Sequence, residues 1–503
     1  MKIYLHLFIL GSITSLIFPP FFFTPLGFVV IPYLYFKITS YSKNTSNIKS
    51  FNEGFVYGFG LNLFLFFWLK NPFFIEEETS NLFFLSYLYI IYVSLYYGLL
   101  FLLLRFFKNL NIQLIIFPIL FVILEIIRSK LFISFPWNLF GYVFSNHVFL
   151  FQITKFIGTY GLSFIVINIF IIPIILLNII NNKNTKFNKF YLFCNLITLV
   201  ILYSVSSLNS PIKNEQNQYN LDIIIYQNNT PQNEKWDKNM TKRRFTNLIT
   251  FIENNSNNIN PTVLIFPETE IPFILEEDDQ LLKFIQSKLK ANTSIIIGGI
   301  RKKTKEKEYY NSMYSINTKK INYFDKKILV PFGEYIPLKN IFPYIKKFTK
   351  GREDFSSGKT IRSINLINNI NIIPTICYES IFFENIITDK NLNNDILINI
   401  TNDSWFGKFS GPYQHFYQAR VRSAEFGKYQ IRVSNNGISA VIDSKGKILA
   451  STKLDEKAVL NYTLKVKNLD RFYFKQKYIV IYLFLTVFLI ICIFYERKFS
   501  KNK

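Results

Sequence analysis

Long apolar runs dominate the first 207 residues of this chain, and a last one, YIVIYLFLTVFLIICIF, lies near its end. Residues 208–474 instead alternate short apolar stretches with polar ones. A hydrocarbon core about 30 Å thick requires about 20 apolar residues in a helix. The runs therefore predict eight membrane spans, at residues 3–19, 23–38, 53–69, 82–106, 110–127, 160–180, 190–207 and 477–495.

This pattern predicts three parts of the chain: a membrane domain of seven helices (1–207), a soluble domain (208–474), and an eighth helix with a basic tail (475–503). The first run could also be a cleaved signal peptide. No A-x-A-like site follows it, however, and further spans do, so we expect a span.

The placement of lysine and arginine near the spans predicts their orientation. If the N-terminus is cytoplasmic, the loops on that side and the C-terminal tail are basic, and the opposite loops are uncharged (FPPFFFTP) or acidic (KNPFFIEEETSN). Arg128 and Lys130 fit this arrangement less well. We therefore expect a multi-pass membrane protein with both termini cytoplasmic and the soluble domain outside the cytoplasm.

The net charge of +24 could indicate a nucleic-acid partner. The lysines are spread over loops and the soluble domain, without a dense basic stripe or an RNA-binding signature. We expect no nucleic-acid partner. Part of the excess charge is suited to anionic lipid head groups.

The soluble domain alternates two kinds of segment, which predicts α/β layers around β-sheet. Strands are predicted for LDIIIYQNN, TVLIFPETE, TSIIIGGIRKK, YNSMYSINT, KINYFDKKILV, NIIPTICYES and ILINITND, and a strand, turn and strand for IRVSNNGISAVIDSKGKILAST. Helices are predicted for NEKWDKNMTKRRFTNLITFIENN, DDQLLKFIQSKLKAN, SIFFENIITDKNL and GPYQHFYQARVRSAEFGKYQ.

Cys377 is the one cysteine of the soluble domain, because Cys194 and Cys492 fall in predicted spans. It therefore has no partner for a disulfide within that domain. A lone thiol in an oxidising compartment is a liability unless it is deeply buried or needed. The three histidines and three cysteines show no metal-binding spacing, so no metal or other cofactor is expected.

Glu268 follows the apolar run TVLIFP, Lys326 lies at the end of INYFD, and Cys377 at the end of NIIPTI. Residues at such strand ends are where ligand crevices form in α/β folds. Taken singly, each has an ordinary alternative: a solvated acid, a surface lysine, a buried small hydrophobe. A cysteine nucleophile needs a base, and His415 lies in the body of a predicted helix, which favours a structural role for it. A glutamate can take the thiol proton, and a lysine can favour the thiolate and stabilise an oxyanion.

The segments FPETEIP, KKILVPFGEYIPL, ICYES and NDSWFG, followed by GPYQHFYQARVRSAE and NNGISAVID, resemble the nitrilase superfamily and, within it, the apolipoprotein N-acyltransferases. The resemblance covers nearly the whole chain and is strongest over residues 221–445. It implies a nitrilase-like αββα sandwich inserted between membrane helices 7 and 8. Phe266 and Ser404 depart from the residue types expected there, but neither carries chemistry.

The resemblance also implies roles for individual residues. Glu268 would be the general base, Lys326 rather than Lys327 the catalytic lysine, and Cys377 the nucleophile. Residues expected to support the site or contact substrate are Glu334, Tyr378, Glu379, Trp236, Trp137 and Trp405.

The implied reaction moves an acyl chain from a phospholipid such as phosphatidylethanolamine to Cys377. The chain then passes to the α-amino group of a diacylated apolipoprotein, and the enzyme is expected to be a monomer. A membrane-anchored amidase of the same superfamily shares the chemistry as far as the thioester, so the three residues do not separate the two. A transporter or scaffold is disfavoured because few ionisable residues besides Glu125 lie within the spans.

Overall fold

The computed structural model describes residues 2–41, 45–207, 218–235, 237–257, 259–276, 280–303, 307–337, 347, 353–367, 370–467 and 476–501. The chain divides into two compact units. The first comprises Met1–Trp68, Phe84–Asn209 and Phe474–Lys503, and the second comprises Leu69–Phe83 and Ser210–Tyr473.

The first unit is helical. Its helices are α1 (Lys2–Thr14), α2 (Gly27–Thr39), α3 (Asn47–Leu65), α4 (Phe84–Leu104), α5 (Leu110–Lys130), α6 (Val148–Phe151), α7 (Thr154–Phe170), α8 (Ile172–Ile180) and α9 (Thr185–Ser207), together with the C-terminal helix Lys477–Lys501. Glycines allow close packing between α1 and α3, since a Cβ on Gly11 would lie 2.0 Å from the Tyr57 carbonyl oxygen. Small residues are the usual means by which membrane helices approach one another.

Within the described residues, five helical segments are long and apolar enough to cross a membrane: Glu77–Leu104, Leu110–Lys130, Thr154–Ile180, Thr185–Ser204 and Lys477–Tyr495. The apolar helix Lys2–Ile17 is shorter. Helix α2 has only 13 residues, and α3 begins with the polar sequence NIKSFNE. These features explain why the predicted spans at 23–38 and 53–69 do not stand out, and the total of eight stays a prediction.

The second unit contains two β-sheets. Their strands are β1 (Tyr219–Gln227), β2 (Thr262–Ile265), β3 (Ile274–Leu275), β4 (Thr293–Lys303), β5 (Glu308–Asn317), β6 (Ile321–Asp325), β7 (Ile364–Asn365), β8 (Asn371–Ile376), β9 (Ile396–Thr401), β10 (Tyr429–Ser434), β11 (Ala440–Ile442), β12 (Ile448–Ser451) and β13 (Ala458–Val466). The predicted single strands are confirmed, although β2, β6 and β8 end several residues before the predicted ends. The segment predicted as strand, turn and strand over residues 431–452 contains three strands, β10, β11 and β12, and β3, β7 and β13 lie outside the sequence predictions.

Each sheet is built around three parallel strands. The first sheet has the order β13-β1-β2-β4-β5-β6, with β3 beside β4, and its strands β1, β2 and β4 are parallel. The second has the order β12-β11-β10-β9-β8-β7, and its strands β8, β9 and β10 are parallel. Parallel strands end at the same edge of their sheet. Residues just beyond β2 therefore lie at one edge of the first sheet, and residues just beyond β8 and β9 lie together at one edge of the second.

Helices cover both sheets. Helices α10 (Lys238–Asn255) and α11 (Gln280–Ser287) pack on the first sheet around a core that includes Ile252, Phe266 and Ile285. Helix α12 (Ser410–Phe426) packs on the second sheet through Phe416. Strands β9 and β10 are buried along their whole length, as expected for parallel strands covered on both faces.

The predicted helix over SIFFENIITDKNL is wrong. Two short 3-10 turns, Cys377–Ile381 and Phe383–Asn385, occupy the segment instead. Phe382 has ψ near 61°, which interrupts a helix, and the Glu379 side chain bonds to the backbone N–H of Ile376. Side-chain-to-backbone hydrogen bonds at the end of β8 therefore favour these turns over the helix that the sequence pattern predicts.

Gly298 allows the backbone after β2 to cross β4 closely. A Cβ at this position would lie 2.4 Å from the Thr269 nitrogen and 2.6 Å from the Glu268 Cα. At the neighbouring Gly299 a Cβ would meet only side-chain atoms, at 3.1 Å or more. Glu268 therefore depends on a glycine at position 298.

We expect Gly298→Ala to cost about 1–3 kcal/mol of stability, as overpacking typically does, because backbone cannot yield as a side chain does. Gly299→Ala is the matched control and should lose less. The measurement is thermal unfolding of the purified proteins in detergent. Equal losses in the two variants would contradict the close-approach argument.

Candidate active site

Glu268 lies three residues beyond β2 and is 6% exposed. Asn311 donates to its Oε1 at 2.7 Å, and the ammonium of Lys235 donates to its backbone carbonyl at 2.8 Å. The next residue, Thr269, has a φ of 49°, a conformation uncommon outside glycine. The position of Glu268 is thus set through its backbone as well as its carboxylate.

Lys326 directly follows β6 and is almost completely buried. Its Nζ lies 3.0 Å from Glu334 Oε1 and 3.6 Å from Glu268 Oε1. Burial acts to lower the pKa of Lys326, but the negative charges of Glu334 and Glu268 outweigh it and the pKa is raised. Lys326 is therefore a fixed ammonium in the resting protein. The neighbouring Lys327, by contrast with the buried Lys326, is half-buried.

Cys377 is the first residue after β8, and its φ of 54° turns the chain sharply there. Asn399 donates to its carbonyl oxygen at 3.1 Å. Burial, and then the charge of Glu268, raise the pKa of the Cys377 thiol to about 12, against the opposing effects of Lys326 and Thr401. The resting side chain is a neutral thiol, which must lose its proton to act as a nucleophile.

One oxygen of Glu268 is left for that proton. Asn311 and Lys326 occupy Oε1, while Oε2 is buried and has no hydrogen-bond partner among the described residues. A buried carboxylate oxygen without a partner is uncommon in native structures. Oε2 of Glu268 is therefore suited to accept a proton from a neighbouring group.

Glu334 also pairs with Lys326, at 3.0 Å from its Nζ. Its Oε1 also accepts from Asn311 at 2.8 Å, and its Oε2 accepts from the Val330 N–H at 2.8 Å. Asn311 thus bridges the two carboxylates that share the lysine. This arrangement is compatible with the predicted tuning role of Glu334.

Glu379 is fully buried and binds backbone on both sides of the site. It accepts from the N–H groups of Lys327 and Ile328 at 2.9 and 3.3 Å, and from Ile376 at 2.8 Å. Arg362 pairs with it at 2.9 Å. Glu379 therefore ties the chain after Lys326 to the chain before Cys377.

The other predicted residues differ in position. Tyr378 donates its hydroxyl to the Leu329 carbonyl, and its ring centroid lies 5.4 Å from the Lys326 ammonium. Trp405 is half-buried in the 3-10 turn Asp403–Phe406 after β9. Trp137 belongs to the first unit, where it is fully buried with its ring 5.2 Å from that of Phe135. Trp236 lies outside the described residues, and substrate contact stays a prediction for all three tryptophans.

Sequence reasoning did not single out several residues that organise the site. They are Asn311, Lys235, Arg362, Asn399 and Thr401. Each is a buried polar side chain; Asn311, Asn399 and Thr401 lie on strands, Arg362 lies just before β7, and Lys235 follows the 3-10 turn Gln232–Glu234. A polar residue inside an apolar strand pattern, such as Asn399 in ILINIT, was the available signal.

His415 is buried in α12 with its Nδ1 2.8 Å from Asp403 Oδ1 and its Nε2 3.5 Å from Ser380 Oγ. Burial and the charge of Arg432 lower its pKa. A neutral imidazole has one donor nitrogen, and these contacts hold His415 between Asp403 and Ser380. The predicted structural role of His415 agrees with this geometry.

Two family models match the chain. The apolipoprotein N-acyltransferase N-terminal domain matches residues 10–172, and the carbon-nitrogen hydrolase domain matches residues 226–473. The chain is 34% identical to an apolipoprotein N-acyltransferase of Rickettsia prowazekii over 469 residues, covering 90% of each chain. It is 35% identical to that of Rickettsia typhi with the same coverage, and 32% identical to that of Rickettsia bellii over 98% of each chain.

The chain belongs to the apolipoprotein N-acyltransferase family. Its second unit has the carbon-nitrogen hydrolase fold with mixed sheets. A carbon-nitrogen hydrolase superfamily protein from Xanthomonas campestris aligns with it at 17% identity and a TM-score of 0.37, over 49% of this chain and 91% of that one. A TM-score of this size does not define a common fold, so the assignment rests on the family model. The superfamily resemblance seen in the sequence is confirmed.

The ion pair of Glu379 leads to a stability prediction. Burial would raise the pKa of Glu379, but Arg362 and the backbone donors lower it below 4.5. A carboxylate with a depressed pKa contributes stability above its unfolded pKa and loses it as the pH falls through the folded pKa. We expect Glu379→Gln to cost about 3 kcal/mol near pH 7, since it leaves Arg362 buried and unpaired.

The difference between wild type and Glu379→Gln should shrink below about pH 4.5, and thermal unfolding at several pH values measures it. Glu276→Gln is the control, because the Lys302–Glu276 pair is exposed and should contribute little. A Glu379→Gln protein as stable as wild type at pH 7, or a loss that does not depend on pH, would exclude the linking role.

Proposed function

We propose that this chain moves an acyl chain from a phospholipid to the α-amino group of the diacylglyceryl-cysteine at the N-terminus of apolipoproteins, through a thioester on Cys377. The observation that carries the mechanism is the arrangement of Glu268. One of its oxygens is held by Asn311 and Lys326, and the other is buried and free of hydrogen bonds among the described residues. The family name and the coverage of both matched domains support the substrates.

In the first step, Glu268 takes the thiol proton and Cys377 Sγ attacks the ester carbonyl carbon of the phospholipid. The carbonyl electrons move to oxygen, where the ammonium of Lys326 stabilises the negative charge. The C–O ester bond breaks as the tetrahedral intermediate collapses. Glu268 returns the proton to the leaving alkoxide, and lysophospholipid departs.

In the second step, the free α-amine of the apolipoprotein attacks the thioester carbonyl. Glu268 takes the proton that the nitrogen loses, and Lys326 again faces the oxyanion. The C–S bond breaks, an amide forms, and the sulfur recovers its proton from Glu268. Because lysophospholipid leaves before the apolipoprotein amine attacks the acyl-enzyme on Cys377, the reaction has ping-pong kinetics.

Lipid-anchored substrates require a catalytic unit at a membrane. We propose the full topology of the sequence analysis: eight spans, the catalytic domain between the seventh and the eighth, that domain on the periplasmic side of the inner membrane, and both termini in the cytoplasm. The five apolar helices and the basic residues of the loops between them support it. Trp137, Trp236 and Trp405 are proposed as substrate contacts within this arrangement, and the working enzyme as a monomer.

The membrane-anchored amidase shares every step up to the thioester and then uses water. The comparisons do not favour it, since the relatives that cover about 90% of the chain are named acyltransferases. A single anchor would also suffice for a soluble substrate.

The acyl-enzyme can be weighed directly. We expect wild-type protein incubated with phosphatidylethanolamine to gain the mass of one fatty acyl group, located on the peptide that contains Cys377. Cys377→Ala should gain none, whereas Cys492→Ala, which removes a thiol of the C-terminal helix, should behave as wild type. The adduct should persist in buffer and disappear when a diacylated peptide with a free N-terminus is added.

The same peptide with an acetylated N-terminus is the control for the acceptor, because its nitrogen is not nucleophilic. Rapid loss of the adduct in buffer alone would support the amidase. Absence of an adduct in the wild type, or an adduct on Cys377→Ala, would refute the thioester mechanism.

A further inference from the structure

A second group of buried polar and charged side chains lies near Cys377, and it has no part in the steps above. Asp403, His415 and Arg432 are all fully buried. Asp403 Oδ2 accepts from Arg432 at 2.8 Å and from the Ser434 hydroxyl at 3.1 Å, and its Oδ1 lies 2.8 Å from His415 Nδ1. Burial acts to raise the pKa of Asp403, but Arg432 and His415 lower it, so Asp403 is a carboxylate.

This group reaches the backbone of Cys377 through Asn399. Arg432 donates to Asn399 Oδ1 at 2.5 Å, and Asn399 Nδ2 donates to the carbonyl oxygen of Cys377 at 3.1 Å. The contact orients the peptide that follows the positive φ of Cys377. The turn at Cys377 is therefore held by a buried charge as well as by sheet bonding.

The group reaches the side chain of Cys377 through Thr401. Strands β8 and β9 are paired in parallel up to Ile376 and Ile400, and Cys377 and Thr401 are the next residues of each. This register places Thr401 beside the nucleophile, and its hydroxyl acts to lower the pKa of the Cys377 thiol. The same hydroxyl donates to Asp403 Oδ1 at 3.2 Å, so Thr401 is adjacent to both the nucleophile and a carboxylate.

A hydroxyl has one proton to donate and lone pairs with which to accept. Asp403 is ionised and can only accept, so Thr401 donates to it while Cys377 is a thiol. A thiolate is also an acceptor. Rotation of the hydroxyl would redirect the same proton to the sulfur.

We propose that Thr401 is a positioning residue for the nucleophile: its hydroxyl donates to Asp403 in the resting protein and rotates to donate to Cys377 Sγ when Glu268 removes the thiol proton. No bond between heavy atoms forms or breaks in this rotation, and no proton is transferred, because the Thr401 hydroxyl keeps its hydrogen. The inference rests on the proposed nucleophilic role of Cys377.

Asp403 can lose its hydrogen bond from Thr401 at little cost in free energy. Arg432, His415 and Ser434 together still satisfy both of its oxygens. Arg432 also prevents Asp403 from repelling the new negative charge on sulfur at full strength. The charged groups that act on the thiol are Glu268, Lys326, Asp403 and Lys235, so the variants of the test leave each of them in place.

The test is alkylation of Cys377 by iodoacetamide in the full-length protein in detergent, located by peptide mass spectrometry and followed from about pH 7 to about pH 9. A hydrogen bond to a charged group is worth about 1.5 kcal/mol, so Thr401→Val should be alkylated roughly tenfold more slowly at every pH. Thr401→Ser keeps the hydroxyl and should restore most of the rate. Thr401→Ala removes the hydroxyl without adding a methyl group and should match Thr401→Val.

Thr262→Val is the matched control, because Thr262 is a buried strand threonine whose hydroxyl donates to the Asn260 carbonyl. It should be alkylated at the wild-type rate, and thermal unfolding should show that all four variants are folded. Wild-type rates in both Thr401→Val and Thr401→Ala would overturn the proposal, as would a Thr401→Ser protein as slow as Thr401→Val.

Alkylation uses no phospholipid, so this test is separate from that of the proposed function. A wild-type protein that forms no acyl-enzyme would refute acyl transfer while the alkylation rates still decide the role of Thr401.

Discussion

The arrangement of this site depends on one buried positive charge shared by two carboxylates. The Lys326 ammonium lies 3.0 Å from Glu334 and 3.6 Å from Glu268, in surroundings that exclude water. Taking such charges out of water is costly, and their attraction offsets the cost only when the geometry is good and the remaining polar atoms are satisfied. Asn311 supplies that satisfaction for both acids. Oε2 of Glu268 has no hydrogen-bond partner in the described part of the chain, and it is the atom that this pairing leaves for chemistry.

The fold delivers the three residues from different strands. Glu268 and Lys326 follow β2 and β6 of the first sheet, and Cys377 follows β8 of the second. Strand pairing alone does not fix how the two sheets meet at this point. Glu379 does so, because its carboxylate binds the N–H groups after Lys326 and the N–H before Cys377. The ion pair of Glu379 with Arg362 thereby helps to set the position of Lys326 relative to Cys377, the proposed catalytic lysine and nucleophile.

The sequence predicts the strands well, because β-branched runs such as TVLIF and ILINI leave little choice. It also indicates that Glu268, Lys326 and Cys377 lie at strand ends, as they do in the structure. Their catalytic roles were implied by the family resemblance and stay predictions. It does not predict the turn at Cys377, where Glu379 competes with a helix for the backbone donors. Nor does it reveal Asn311, whose partner Glu268 lies 43 residues away in the chain. It also does not reveal Thr401, whose role depends on the register between β8 and β9. Local pattern carries no information about such pairs.

If Lys326, Glu334 and Glu268 act as one unit, removing members one at a time cannot give additive effects. The most direct measurement is the single-turnover rate of thioester formation in Lys326→Met, Glu334→Gln and the double variant. The account predicts that the double variant is about as slow as Lys326→Met alone, because Glu334 acts only through the lysine. Multiplying losses, or a Lys326→Met protein that forms the thioester at the wild-type rate, would contradict it.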